Sequence, residues 1–515
     1  MTQPFLSPEP QVKLVKRFAD AYRNFLATAR TCYSSKGLIE EDSIDDKWDF
    51  LAKSLYKAGH HTTLQHSHFQ FTLDNVSRHF IWSFLHSHPF YNSEQVSQRY
   101  VTVKPGNAAV PPLQGEALTV YRETIEYQMS AYEALVERLK PLARSEYAKR
   151  FPKRPIDEKK YRLDIKRKAQ EIARYALPVA TFAYMYHTIS GVTLLRYNRL
   201  CKLYDAPHEQ TVVVQKMVQQ LLEAEPKFAD LIEAPLEEDG SPEWKFFEQH
   251  NPNALHAKSF IDEFDAELEG RVSKLTGYKT DNERILADSV RETLGVPRAQ
   301  ISDQDAIRLA LDPGENRLLG ESLNLTTLSK LSRCLFHPSY TFKKKISHTA
   351  DSQDQRHRMT PASRPILAGH QIDAPDFITP ELIKQDESVE REYAEIMARS
   401  WEAMAKLRKL GVKEEYVQYL LPNAVSVRFS ESSDLLNLHH KLAMRLCYNA
   451  QEEIWRASVD EAQQIREINP TIGTYLLPPC TLRVLSKTKP ICPEGDRFCG
   501  EKVWNYDIDD YQRVI

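Results

Sequence analysis

Three stretches of the chain concentrate side chains able to do chemistry. Seven of the 17 histidines fall between His60 and His88, and two pairs, His66/His68 and His86/His88, are spaced i,i+2. On a strand that spacing sends both imidazoles to one face, where they could hold a divalent metal. Only Asp74 inside the stretch and Glu94 just beyond it could add a carboxylate. Hydrogen-bonding or partly buried histidines are therefore the plainer reading, with a metal-dependent hydrolase as a rival function. The second stretch is Arg356-His357-Arg358, with Ser363 and Arg364 close behind. Two guanidiniums flanking an imidazole form a compact cationic surface for phosphates or an electron-rich ring, because arginine offers planar, bidentate donors and stacks; the competing reading is a solvated basic turn. The third is Ser97-Gln98-Arg99-Tyr100. Its hydroxyl, amide and guanidinium in succession could hold a phosphate and the adjacent sugar, although such a tetrapeptide is common by chance.

The elements that must position these residues are largely helical. Apolar residues recur at three- and four-residue intervals from Val12 to Tyr33 and from Asp46 to Ala58, which predicts opening helices. The alternation from His66 to Leu73 predicts a half-buried strand, followed by a helix over Ser77 to Leu85. Long helices are expected from Gln114 to Leu139, stopped by Pro141, then from Arg162 to Tyr186 and from Glu209 to Leu222. Acidic, Pro and Gly residues from Ile232 to Pro252 mark the main boundary. Beyond it the pattern partly repeats, with ARYALPVAT at 173–181 answered by VQYLLPNAV at 417–425, the two Leu-Pro elements lying 244 residues apart. That spacing suggests a duplication.

A length of 515 residues allows roughly two to four domains. With 42% hydrophobic and 27% charged residues the composition excludes a disordered or fibrous chain, and 16 glycines against 29 prolines disfavour an all-β architecture. The net charge of −3 hides one basic run, Arg144 to Lys168, read as a solvated helical surface and not as a nucleic-acid patch. No apolar stretch approaches the ~20 residues needed to span a bilayer, and no leader opens the sequence, so no membrane role and a cytoplasmic location are expected. Seven scattered cysteines do not make a disulfide framework.

GHHTTLQHSHFQF at 59–71 and HSHPFYNSEQVSQRYV at 86–101 together resemble the signature of flavin-dependent thymidylate synthases. In that family a Gly-His-x-Thr/Ser-x-x-Glu-His segment leads to an Arg-His-Arg motif and a Ser-x-Arg-Tyr close. The first half matches at Gly59, His60, Thr62, His66, Ser97, Arg99 and Tyr100, with Gln65 in place of the usual Glu. Counted back from Ser97, its central motif reads Ser87-His88-Pro89. The second half keeps Arg356-His357-Arg358 but shortens the close to Ser363-Arg364-Pro365. Its MRLCYNAQEEI at 444–454 resembles the family's other block, with Arg445 at the Arg position, Asn423 after Leu-Pro, and Asn449 where many members have His. In the first half Val179 replaces the Asn, and Cys201 replaces the Arg unless a two-residue shift brings in Arg199. The family's Arg before Leu-Pro survives as Arg174 in the first half, whereas the second has Gln418.

The resemblance implies an α+β fold of two tandem, related, helix-rich domains, each with a small, mainly antiparallel sheet. Residues 1–235 and 259–515 would form the domains and 236–258 the linker. It implies a methyltransferase that converts dUMP to dTMP by reductive methylation, with methylenetetrahydrofolate as carbon donor and NAD(P)H reducing it through FAD. A same-fold flavin or nucleotide enzyme with altered chemistry is the alternative. Arg445 would act catalytically and, with Gln95, Ser97, Gln98, Arg99 and Arg174, hold dUMP. Thr62, Gln65, His86, His88, Arg356, His357, Arg358, Asn423, Arg428 and Asn449 would contact FAD. Because family sites are shared among subunits of a homotetramer, a fused pair is expected to form a homodimer. The tail resembles an extension found in part of the family, and Cys480, Cys492 and Cys499 are weak candidates for zinc; otherwise no metal is expected.

Overall fold

In the first half four strands, β1 (Gln11–Arg17), β2 (His68–Ser77), β3 (Asn92–Gln95) and β4 (Phe182–Ser190), form an antiparallel sheet in the order β1-β2-β4-β3. The second half repeats it with β5 (Ser273–Tyr278), β6 (Ser339–Ser347), β7 (Ala362–Ser363) and β8 (Ser426–Asp434), in the order β5-β6-β8-β7. The structure is a computed structural model that describes residues 4–87, 90–203, 205–250, 254–321, 329–370 and 372–515. The helices used below are α1 (Arg78–His86), α2 (Gly115–Arg150), α3 (Lys159–Ala173), α4 (Gly191–Leu200) and α5 (His208–Ala224) in the first half. Those in the second are α6 (His348–Asp354), α7 (Glu387–Lys409), α8 (Leu435–Arg445) and α9 (Glu452–Ile468). The chain is thus α+β and tandem, as its motifs implied.

Alternation explains the central strands. Phe69, Phe71 and Leu73 of β2 face the core, as do Ala183, Met185 and His187 of β4, while Tyr184 and Tyr186 stay exposed. Strands β2 and β6 each turn into a helix capped by the strand's last serine. Ser77 Oγ accepts from the Phe80 N–H at 2.9 Å, and Ser347 Oγ from the Ala350 N–H at 3.1 Å.

The two halves share a core. Leu135, Leu139 and Ile172 of the first pack in one cluster with Met397, Trp401 and Met404 of the second. The Leu-Pro junctions meet about a pseudo-twofold axis, with Pro178 bridging Pro422. The Val179 N–H donates to Leu421 O (2.8 Å) and the Asn423 N–H to Leu177 O (2.8 Å), one bond being the image of the other.

The symmetry extends to a pair of buried carboxyls that cross between halves. Glu209 of α5 accepts from the Ser77 N–H at 2.7 Å and from the Tyr419 hydroxyl of the other half at 3.0 Å. Glu453 of α9 accepts from Ser347 Oγ at 2.6 Å and from the Tyr175 hydroxyl at 2.6 Å. Burial pushes both carboxyls up to about 7 despite these donors. A carboxyl whose folded value lies above its unfolded one stabilises the fold below the unfolded value and loses that contribution as pH rises through the folded one. Melting temperature should therefore fall between pH 5 and pH 8, by an equivalent of up to about 3 kcal/mol per group. Glu209→Gln with Glu453→Gln should flatten that slope; an unchanged slope in calorimetry would show that other groups cause it.

Several sequence expectations are corrected. Residues 12–17 form edge strand β1 and not a helix, because Val12 and Leu14 alternate with lysines against β2; the helix begins at Ala21. The strand expected at His66 to Leu73 begins at His68 and runs on to Ser77, with His66 in a preceding 3-10 turn. Helix α2 passes Pro141 and continues to Arg150, since Leu139, Ala143 and Tyr147 carry its buried stripe across the proline. That burial offsets the ~3 kcal/mol a helix-interior proline costs. The helix expected from Arg162 to Tyr186 ends at Ala173, and residues 182–190 are β4, whose central sheet position buries alternate residues. The segment placed as a linker carries a helix, Pro242–His250.

Candidate active site

Arg445 closes α8, and its guanidinium is fixed from two sides. Nε donates to His357 Nε2 at 2.8 Å and Nη2 to Gln353 O at 2.8 Å. His357 must be neutral to accept. Burial, reinforced by the Arg445 charge, holds its pKa well below the ordinary imidazole value. Burial also lowers Arg445 to about 10, which leaves it protonated at neutral pH.

Facing Arg445 across a cavity of about 440 Å³ are residues of the first half. Gln95 ends β3 and Ser97, Gln98 and Arg99 follow it, while Arg174 lies just past α3. Asn423, after the second Leu-Pro, ties the two sides: its Nδ2 donates to Gln98 Oε1 (3.2 Å) and to Arg174 O (3.0 Å). Arg99 Nε donates to Glu171 Oε2, and its Nη2 to Asn449 O at 2.7 Å. Burial disfavours a charge on Glu171, yet Arg99, Lys168 and Arg174 around it outweigh that and bring its pKa to about 2.

The other polar groups of the cavity are notable for what they lack. Arg174 is 5% exposed and Arg78 7%, yet Arg174 Nη2, Arg78 Nε and Gln98 Nε2 are buried without a hydrogen-bond partner. Buried donors of this kind are costly unless an acceptor arrives. Three unmet donors, two of them on guanidiniums, in one cavity call for an anionic ligand with several acceptor oxygens.

The structure thus brings together Gln95, Ser97, Gln98, Arg99, Arg174, Arg356, His357, Asn423 and Arg445 in one lining. It adds Arg78, Thr349, Ser352, Gln353, His440 and Met444, which sequence reasoning missed. Arg78 had a readable signal, a charge directly after a capping serine at the head of an otherwise apolar helix. Other expected contacts lie elsewhere. Thr62 and Gln65 are exposed on the first half. Arg358 is not in the lining and lies over the Tyr91 ring at 5.0 Å, while Arg356, which is, pairs with Glu94 at 2.8 Å. Arg428 is buried, held by Asp265 (2.7 Å) and Asp376 (2.6 Å), so its donors are spent within the fold. The Asn449 side chain donates to Arg497 O at 2.6 Å. His88 lies outside the described residues. Among the described residues no group of three or more His, Cys, Asp or Glu is placed to hold a metal, neither around Cys480, Cys492 and Cys499 nor around His66 and His68.

The pseudo-twofold axis also has a mirrored location, and it is filled. The fifth residue of α6 is Ser352, on the cavity wall, but the fifth of α1 is Trp82. Its indole N–H donates to Asp351 Oδ2 at 2.8 Å, Arg364 Nη2 holds Asp351 Oδ1 at 2.7 Å, and His86 packs edge-on against the indole. Burial lowers His86 to about 3, so it is a neutral packing group. Counted from the paired Glu209 and Glu453, buried Cys201 stands where Arg445 does. Arg199 points instead to the backbone oxygen of Ala234.

Fold and cavity define the class: two fused α+β repeats that pool complementary residues around one cationic cavity of nucleotide size. The family model described as "Thymidylate synthase complementing protein" matches residues 13–227 and 274–471, and the chain belongs to that family. It is 27% identical over 221 residues to the flavin-dependent thymidylate synthase of Sulfurisphaera tokodaii, covering 41% of this chain and 79% of that one. With the enzyme of the same name from Clostridium tetani it shares 25% over 194 residues, 37% and 73% of the two chains. Among solved structures it is similar to the UMP/dUMP methylase PolB from Streptomyces cacaoi bound with 5-Br dUMP, at TM-score 0.32 and 16% identity, covering 43% of this chain and 96% of that one. No helix among the described residues is long and apolar enough to cross a membrane.

Proposed function

We propose that the chain is a flavin-dependent thymidylate synthase that methylates dUMP reductively to dTMP, with methylenetetrahydrofolate and NAD(P)H as co-substrates and FAD as cofactor. The observation that carries this reading is the set of unmet buried donors on Arg78, Arg174 and Gln98 opposite Arg445. Arg78, Arg174 and Gln98 would hold the nucleotide phosphate and Ser97 the adjacent sugar. Arg445, kept rigid by His357 and Gln353, would face the pyrimidine and stabilise negative charge on it. A preorganised guanidinium in a desolvated site is most effective where charge develops.

Arg356 in the cavity wall and Arg358 beside Tyr91 offer guanidiniums on either side of neutral His357, donors of the kind that FAD phosphates take. When bound, FAD would supply the reducing equivalents. Arg356 and Arg358 would hold its phosphates, and His357 would keep Arg445 oriented beside it. The decisive experiment is tritium release from dUMP labelled at the pyrimidine C5, by a preparation showing flavin absorbance, with methylenetetrahydrofolate and NADPH. Flavin without tritium release would point to the same-fold enzyme with altered chemistry.

Thr62 and Gln65 are exposed and stand apart from the cavity lining. A second copy of the chain would bring them to the flavin, which makes the working form a homodimer acting in the cytoplasm. Light scattering should give about twice the 59.5 kDa chain mass. A monomer with full activity would contradict it.

A further inference from the structure

The basic run from Arg144 to Lys168 is not a uniformly solvated surface. Its bend between α2 and α3 faces the tail, and together they enclose a second cavity of about 910 Å³. Arg99 belongs to both cavities and forms part of the wall between them. Three features suggest a ligand. Rings and guanidiniums alternate in the lining: Arg154 lies 3.8 Å from the Phe151 centroid and 5.6 Å from that of Tyr161, and Arg167 5.7 Å from that of Tyr100. Arg513, 8% exposed and in the wall, donates through Nε to Ile515 O at 2.6 Å, but its Nη1 and Nη2 are buried without a partner. The nearest carboxylates are engaged elsewhere, Glu171 with Arg99, Glu452 with Arg456 and Glu501 with Arg150. Asp164, 3.6 Å from Arg167, Glu494 and exposed Asp496 remain as opposing charges. Partly buried Lys168 adds an ammonium to the same wall.

We propose that this cavity binds an aromatic anion of nucleotide size, its ring stacked among Tyr100, Tyr147 and Tyr161 and its acidic group held by Arg513 and Lys168. Aromatic faces and guanidiniums in alternation favour a planar, electron-rich ring, and two unmet guanidinium nitrogens favour a phosphate or carboxylate. The assignment rests on residues that the proposed reaction does not use, Arg99 apart, and stands independently of it. Both a nucleotide and an aryl carboxylate have this chemistry, so the test has two arms. The full chain is titrated calorimetrically with AMP and with 4-aminobenzoylglutamate, alongside Arg513→Met, Tyr161→Leu and Arg445→Met, each checked for an unchanged melting curve. At least one probe should bind once per chain. Arg513→Met or Tyr161→Leu should weaken it roughly tenfold or more, while Arg445→Met, at the other cavity, should leave it unchanged. AMP binding would identify a nucleotide site and aminobenzoylglutamate binding a carboxylate site. Failure of both probes to bind, or loss of binding in Arg445→Met with retention in Arg513→Met, would overturn the proposal.

Discussion

Arg445→Met should lower turnover of dUMP by roughly 100- to 1000-fold while the chain stays folded and flavinated. The guanidinium is buried, fixed by His357 Nε2 and Gln353 O, and lines the cavity opposite the first half's unmet donors. Removing one preorganised donor from a desolvated site costs about 2.7–4 kcal/mol in the transition state, and each 1.36 kcal/mol is a factor of ten in rate. Methionine preserves much of the volume, so packing against His357 survives. Single-turnover kinetics at saturating dUMP should show the loss in kcat. A loss confined to KM would mean that Arg445 binds the nucleotide without assisting the reaction.

The second large effect should come from the opposite wall. Arg78→Met with Arg174→Met removes the two guanidiniums that carry unmet nitrogens. A hydrogen bond to a charged group contributes about 1.5–3 kcal/mol, so losing both should weaken dUMP binding by on the order of 10² to 10⁴. Flavin content should hold, because the proposed flavin contacts Arg356 and Arg358 belong to the other half. The contrast with Arg356→Ala/Arg358→Ala, which should shed flavin on desalting, separates the two roles. Equal loss of flavin and nucleotide in both double variants would mean that the cavity collapses as a unit.

What the sequence revealed and what it hid follow from the range of the interactions. The cavity's main residues were legible because each sits in a local motif: Ser97-Gln98-Arg99 beside a strand end, Arg174 and Asn423 around the two Leu-Pro junctions, Arg445 at a helix end. Their convergence across the two halves could be expected only because each half lacked what the other kept. Arg78 is marked in the sequence only by its place directly after a capping serine, and that does not reveal its burial, which depends on Val96 and Gln95 folding over it. Strand β4 was misread as helix because its inward face, Ala183, Met185 and His187, has no helix-excluding residue, and its outward tyrosines suit either state. Strand β1 was missed because it is short, lysine-rich and held by its pairing with β2.

The two repeats have diverged at equivalent points. Behind Arg445 and His357 the second half buries an ionic network in which Lys344 contacts Glu431 (2.9 Å) and Glu461 (2.6 Å), and Lys441 contacts Asp354 (2.9 Å). The first half instead packs Phe84, His187 and Tyr197. One repeat thus keeps a charged scaffold behind the guanidinium of Arg445, and the other has an aromatic core behind Trp82, which stands at the mirrored location. A buried network is by itself weak support for stability, but the carboxylate of Asp354 within it favours the charge on Arg445.

The central claim is that both halves build the one dUMP cavity of the chain, distinct from the second cavity beside the tail. Equilibrium dialysis of labelled dUMP against the full flavinated chain tests it most directly. One dUMP should bind in this cavity per chain, and the site should be lost both in Arg78→Met/Arg174→Met and, in a separate chain, in a variant that blocks the opposite wall, Ser352→Trp. Full dUMP binding in either variant would contradict it.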